Sequence, residues 1–291
     1  MTSYSSQCIK ALNSDGTIRA VGLQATELVN EVAIRHGLVG EYAKRLGEAL
    51  IGGLMLSTYM KKGNRVNLNI KTTQGPVGQI FVDATPDGNV RGYIVKGDGQ
   101  EPVKEGLGPW GEGILSVLRS KDVEQKEPFI GTVPLITGHF AKDLTFYWHQ
   151  SEQVPSAVGL HIEVSENPER PIKSAGGFLM QALPGANEDV LKDLEQHIDN
   201  FGDIALEMAE NSNPKELLPY IFKDTGYSLL EETPLTSICS CSIEKVSRAF
   251  SLLPMKDIDE MIQNKESPET KCEFCGTLYQ LSLEDLKKIK S

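Results

Sequence analysis

Several things are missing or scarce in this 291-residue sequence, and each narrows what the chain can be. No run approaches the roughly 18 consecutive apolar residues that a membrane-crossing helix needs. The opening MTSYSSQCIKALNSDG has no basic stretch followed by an apolar core, so no secretory signal is expected and the cytoplasm is the expected compartment. The phosphate-loop pattern G-x-x-x-x-G-K-[ST] is absent, which leaves nothing to suggest nucleotide-driven cycling. Basic residues are outnumbered, 29 Lys and Arg against 40 Asp and Glu. The resulting net charge of -11 argues against a nucleic-acid or anionic-membrane partner.

The basic deficit is local. Residues 1–185 hold 18 basic and 19 acidic side chains, and residues 233–291 hold 8 and 9. Residues 186–232 hold only Lys192, Lys215 and Lys223 against 12 acids. A segment so charged repels itself and gains less from folding than its neighbours.

What is present divides the chain in three. A hydrophobic fraction of 40% is ordinary for a globular protein. Residues 1–185 predict an α+β domain, a large mixture of sheet and helix. Helical spacing runs through 25–37 and 41–60, and strand patterns follow at RVNLNIK, VGQIFVDA, NVRGYIV, GTVPLI, DLTFYW and AVGLHIEV. Strands follow one another more often than they alternate with helices, which favours this class over a doubly wound sheet.

Residues 186–232 predict an acidic helical linker. Val190, Leu194, Ile198, Phe201, Ala205 and Met208 form one apolar stripe, and a second helix over 213–222 starts with Asn213 as cap and Pro214 in its first turn. That stripe either docks permanently on the neighbouring domain or docks conditionally. Residues 233–291 contain one more short helical stripe, Ile243, Val246, Phe250 and Leu253, and too few apolar groups for a core to suffice without a staple.

Cysteine is also scarce, five in all, yet four lie in this last segment. Cys239 and Cys241 form a C-x-C pair, and Cys272 and Cys275 a C-x-x-C pair. All five histidines lie upstream, so no local imidazole competes as a ligand. Four soft thiolates are what zinc takes in a closed tetrahedral structural site, with no open position for catalysis. Gly276 can supply a left-handed turn after the second pair. Cys8 stands alone and reads as an ordinary small residue.

Zinc in such a site supplies about 10–16 kcal/mol of folding energy. Thiolates are also what oxidants attack, and each disulfide removes two ligands. A C-x-x-C pair closes easily. Two extended steps in C-x-C span about 7 Å between Cα atoms, the upper limit for a bridge. The chain must bend there, and the disulfide should be readily reduced. Oxidation would release the metal, unfold the small domain and leave the acidic helices without a neighbour. Spacing alone permits this switch without favouring it, because most four-cysteine zinc sites are static.

With CSCS and CEFCGTLY at its end, the sequence resembles the redox-regulated bacterial heat-shock chaperones, the 33 kDa chaperonin family. DGTIRAVG (15–22), VDATPDGNVRGY (82–93), DLTFYWHQSEQVPSAVG (143–159) and AGGFLMQALPG (175–185) carry the same resemblance in the same order; PVKEGLGPWGEG (102–113) departs from it. The resemblance implies a non-enzymatic, ATP-independent holdase, inactive while reduced with one Zn²⁺ on the four cysteines. Under oxidants Cys239 would pair with Cys241 and Cys272 with Cys275, and the metal would leave. The activated form would dimerise and bind unfolding proteins. Leu194, Ile198, Phe201, Leu218, Ile221 and Phe222 would then offer clients an apolar surface.

Two other classes share the thiolates. A zinc-ribbon nucleic-acid binder should present a basic face, which 233–291 does not. A thiol–disulfide oxidoreductase would use Cys272 and Cys275, but no βαβ pattern surrounds them. His149, Ser151 and Glu152 lack the G-x-S-x-G setting of a hydrolase nucleophile, and packing and turn hydrogen bonds are expected of them instead.

Overall fold

The structure, a computed structural model, describes residues 6–97, 101–120, 128–187, 192, 201–210, 213–222 and 226–290. They separate into two compact units, Met1–Ser237 and Ile238–Ser291.

The first unit holds two five-stranded antiparallel sheets. One runs in the order β10 (Tyr227–Pro234), β1 (Gln7–Asn13), β2 (Ile18–Gln24), β9 (Ile172–Ala182) and β8 (Ser156–Val164). The other runs β5 (Val90–Lys96), β4 (Val77–Ala84), β3 (Arg65–Thr72), β6 (Gly113–Ser120) and β7 (Phe129–Leu135). Helix α1 (Thr26–Arg35) leads into α2 (Gly40–Ser57), which packs on both sheets. Two glycines permit this. A Cβ at Gly47 would come within 2.7 Å of Ile162 on β8, and one at Gly53 within 2.6 Å of Val82 on β4. Any side chain at either place would push α2 off a sheet.

The first sheet is buried on both faces. In β9, Ala175 and Leu179 belong to the main core around α2, whereas Phe178, Met180 and Ala182 belong to a second core on the other side. Strands covered on both faces lose the apolar–polar alternation that marks a half-exposed strand, and GGFLMQA has none. The second core is closed by α4 (Phe201–Glu210) and by a 3₁₀ turn, Pro214–Leu217, running into α5 (Leu218–Phe222). Asn213 caps that turn, its side chain accepting from the Lys215 amide. The first sheet therefore gives the acidic helices their neighbour. This replaces the expectation that loss of the small domain would strip them of one.

Two further sequence readings change. DLTFYW is not a strand: Phe140–Tyr147 is helix α3, continued by a π-helical turn, Trp148–Glu152. Phe140, Asp143, Leu144, Tyr147 and Trp148 are buried at helical spacing, and Asp143 hides the pattern because it is a carboxylate. Its Oδ1 accepts from the Ile136 and Thr137 amides and the Thr137 hydroxyl. The acidic segment also does not stay helical. Its end is β10, paired with β1, and residue 233 lies within that strand.

The second unit is small. It contains α6 (Ile243–Phe250), α7 (Met255–Gln263), the hairpin β11 (Glu269–Lys271) and β12 (Leu278–Gln280), and α8 (Leu283–Lys290). Among its described residues only Ile258, Leu281 and Leu286 are buried apolar side chains.

Candidate metal centre

The second unit brings its four cysteines together from two places. Cys239 and Cys241 lie on the extended chain before α6, where Ser242 caps the helix by accepting from the Lys245 amide. Cys272 and Cys275 lie on the turn of the β11–β12 hairpin. There the Gly276 amide donates to the Cys272 carbonyl at 2.8 Å, and the Cys272 amide donates to the Thr277 carbonyl at 2.9 Å. Gly276 has φ +75°, the left-handed conformation that this tight turn requires.

All four Sγ atoms lie within 4.8 Å of one another. Cys239 Sγ is 3.8 Å from Cys272 Sγ, and Cys241 Sγ is 3.3 Å from Cys275 Sγ. A disulfide would need about 2.05 Å. A tetrahedron with metal–sulfur bonds of about 2.3 Å has edges of about 3.8 Å. The sulfurs are thus spaced as the corners of a metal site, and the donor set suits zinc.

Crowding divides the thiols. Burial pushes Cys272 up to about 12 even though the Cys275 and Phe274 amides favour its thiolate. Cys241 is also raised, chiefly by burial. Burial opposes ionisation of Cys275 too, but hydrogen bonds from the Thr277 hydroxyl and amide, and from Cys241 and Cys272, outweigh it and bring the pKa to about 6.

Two residues that the sequence reading left out complete the site. The Tyr279 hydroxyl donates to Cys241 Sγ at 3.0 Å, and Thr277 Oγ1 lies 3.2 Å from Cys275 Sγ. The bond to sulfur pushes the Tyr279 phenol up to about 12, so it stays a donor. Their signal was available in CGTLY, two and four residues past Cys275. Cys8 takes no part: it is buried in the first unit, and burial pushes its thiol up to about 12.

The apolar linker residues are elsewhere. Leu218, Ile221 and Phe222 are buried in the second core, Phe222 stacking on Tyr227 with ring centroids 5.5 Å apart. Phe201 is the first residue of α4, and Leu194 and Ile198 lie outside the described residues. Glu152 takes the structural part expected of it, accepting from Arg119 at 2.7 Å and from the Tyr147 hydroxyl at 2.8 Å.

An α+β unit followed along the chain by a small module with four clustered cysteines that could hold a metal ion defines a class, a protein with a cysteine-cluster accessory domain. The comparisons narrow it. The family model described as Hsp33 protein matches residues 6–282. A 33 kDa chaperonin of Shouchella clausii is 34% identical, covering 97% of this chain and 96% of its own length. One of Levilactobacillus brevis is 35% identical, covering 97% and 96%. The crystal structure of a 33 kDa chaperonin from Thermotoga maritima superposes with a TM-score of 0.82 at 28% identity, covering 98% of this chain and 97% of that one. The chain belongs to the Hsp33 family.

Proposed function

We propose that the protein is a redox-regulated, ATP-independent holdase of the cytoplasm, without enzymatic activity. Family membership supports the chaperone class, and the four-thiolate cluster supports the regulation. While reduced, Cys239, Cys241, Cys272 and Cys275 hold one Zn²⁺, whose binding supplies the folding energy that three buried apolar side chains cannot. Oxidation closes Cys239 with Cys241 and Cys272 with Cys275. At each bridge two thiolates give up two electrons, which with two protons reduce one hydrogen peroxide to two waters. The nearest sulfurs lie across the pairs, but all four lie within 4.8 Å, so proximity does not select the partners.

Unfolding of the small module then frees the chain beyond β10, a strand whose residues are exposed except for half-buried Thr233. Loosening of β10, α4 and α5 uncovers Leu218, Ile221 and Phe222. Leu194, Ile198 and Phe201 extend that apolar surface toward unfolded clients, and acidic neighbours keep it soluble. The activated chain pairs with a second copy.

The four-thiolate cluster in a nearly coreless module is the observation that carries this reading. The test follows zinc release and the suppression of aggregation of a thermally unfolding client, before and after peroxide with mild heat. Suppression should need oxidation and should track metal release; equal suppression in both states would sink the switch. One observation favours a second reading. A Cys275 thiol near 6 is what a disulfide-exchange nucleophile needs. Repeated turnover of a disulfide substrate would make the protein an oxidoreductase instead.

A further inference from the structure

The first unit contains a cavity of about 160 Å³ just past the end of α2. Arg19 on β2 and its cross-strand neighbour Gln181 on β9 form part of its wall, with Tyr59, Arg119, Trp148 and Glu152. The two arginines are not equivalent. Arg119 is paired with Glu152, whose second oxygen accepts from Tyr147, so this carboxylate is fully engaged.

Arg19 has no carboxylate partner among the described residues. Its Nε donates to Gln181 Oε1 at 3.0 Å, and its guanidinium lies 3.8 Å over the centre of the Tyr59 ring. Its Nη groups have no acceptor among the described residues. Burial lowers the pKa of this guanidinium, as expected of a cation partly stripped of water with no counter-charge. Arg119 Nε is enclosed without an acceptor as well, which adds to the positive potential of that wall.

The cavity therefore has donors to spare and an uncompensated charge of one. Arg19 and Arg119 contribute two positive charges and Glu152 one negative. A monoanion brings the sum to zero, whereas a dianion leaves an excess of negative charge beside Glu152. Met55, Met60 and Trp148 add apolar wall that suits a short hydrocarbon body. Cavities of about 150 Å³ accept ligands the size of benzene.

We propose that this cavity binds a small organic monocarboxylate, with the Nη groups of Arg19 as its counter-ion. Trp148 in the wall makes occupancy visible. The chain has two tryptophans, so Trp110→Phe leaves Trp148 as the sole reporter. The reduced, zinc-loaded protein is titrated with sodium butyrate at constant ionic strength, against sodium chloride and inorganic phosphate. We expect a saturable change in Trp148 emission with butyrate, at least tenfold weaker binding in Arg19→Gln, and partial recovery in Arg19→Lys. Butyrate should also raise the unfolding midpoint of the otherwise unaltered protein but not of Arg19→Gln, a readout that does not depend on the tryptophan variant. An equal response to chloride, tighter binding of phosphate than butyrate, or butyrate binding unchanged in Arg19→Gln would each overturn the assignment.

Discussion

The two units are held together in opposite ways. In the first, α2 is buried along most of its length between two sheets, and the main core gathers residues from Cys8 on β1 to Leu235 just past β10. In the second, α6 has no buried residue at all, and Ile258, Leu281 and Leu286 are the buried apolar side chains among those described. Burying a Leu or Ile contributes about 1.5–3 kcal/mol, so three of them cannot offset the backbone entropy of some fifty residues. The first unit is stable because of its sequence pattern. On the proposed reading, the second depends on whether four sulfurs share one ion. Such a protein would lose the second unit without losing the first, because the proposed staple is what oxidants attack.

Removing the metal should produce the largest difference. A chelator, or Cys239→Ser with Cys241→Ser, withdraws about 10–16 kcal/mol from the second unit. Amides across 238–290 should then exchange with solvent at unfolded rates while those of α2 and β9 stay protected. Continued protection of the hairpin and α7 without metal would end the comparison. The same double variant should suppress client aggregation without oxidant, and a variant still needing peroxide would contradict the proposed switch. Peptide mapping of the oxidised protein should find Cys239–Cys241 and Cys272–Cys275 bridges; crossed bridges would refute the pairing.

A core truncation should do the reverse. Leu50→Ala on α2, fully buried, should cost the first unit about 2–5 kcal/mol while leaving zinc affinity within twofold. A matching fall in zinc affinity would show that the units are not independent.

Much of the metal centre was readable in advance, because thiol chemistry needs few residues at short spacings. Cys239, Cys241, Cys272, Cys275 and the left-handed Gly276 were all visible. Thr277 and Tyr279 stand in the same CGTLY string, but a hydroxyl that bonds sulfur has no periodicity to single it out. In the fold, half-exposed strands such as β3 announced themselves by alternation. β9 did not, because it is covered on both faces, and β10 did not, because it is exposed on nearly all of its length. The residues of α3 carry a strand-like pattern, because Asp143 breaks the apolar stripe and Phe146, Tyr147 and Trp148 favour extended chains. That carboxylate is buried for a reason that appears only in space, as the acceptor for the chain entering α3. Asp143→Ala should leave the Ile136 and Thr137 amides unpaired and cost the first unit about 1–3 kcal/mol, read as a lower unfolding midpoint. An unchanged midpoint would mean that water replaces the carboxylate.

The smallest effect tests the last strand of the first unit. Strand β10 is held to β1 by backbone pairing and by Lys10, whose Nζ donates to Glu231 Oε2 at 2.8 Å. That hydrogen bond lowers the Glu231 pKa against the opposing effect of burial. A carboxylate depressed in the folded state stabilises it above the unfolded value, about 4.3, and the contribution disappears as pH falls through the folded value. Because the Glu231 side chain is 47% exposed, water screens the pair and its worth is a few tenths of a kcal/mol. Glu231→Gln should therefore speed amide exchange in β10 about twofold at pH 7 relative to the parent protein, and this ratio should fall toward one as pH drops below the depressed folded pKa. A ratio that does not change as pH is lowered would show that the side chain's packing, and not its charge, keeps β10 in place.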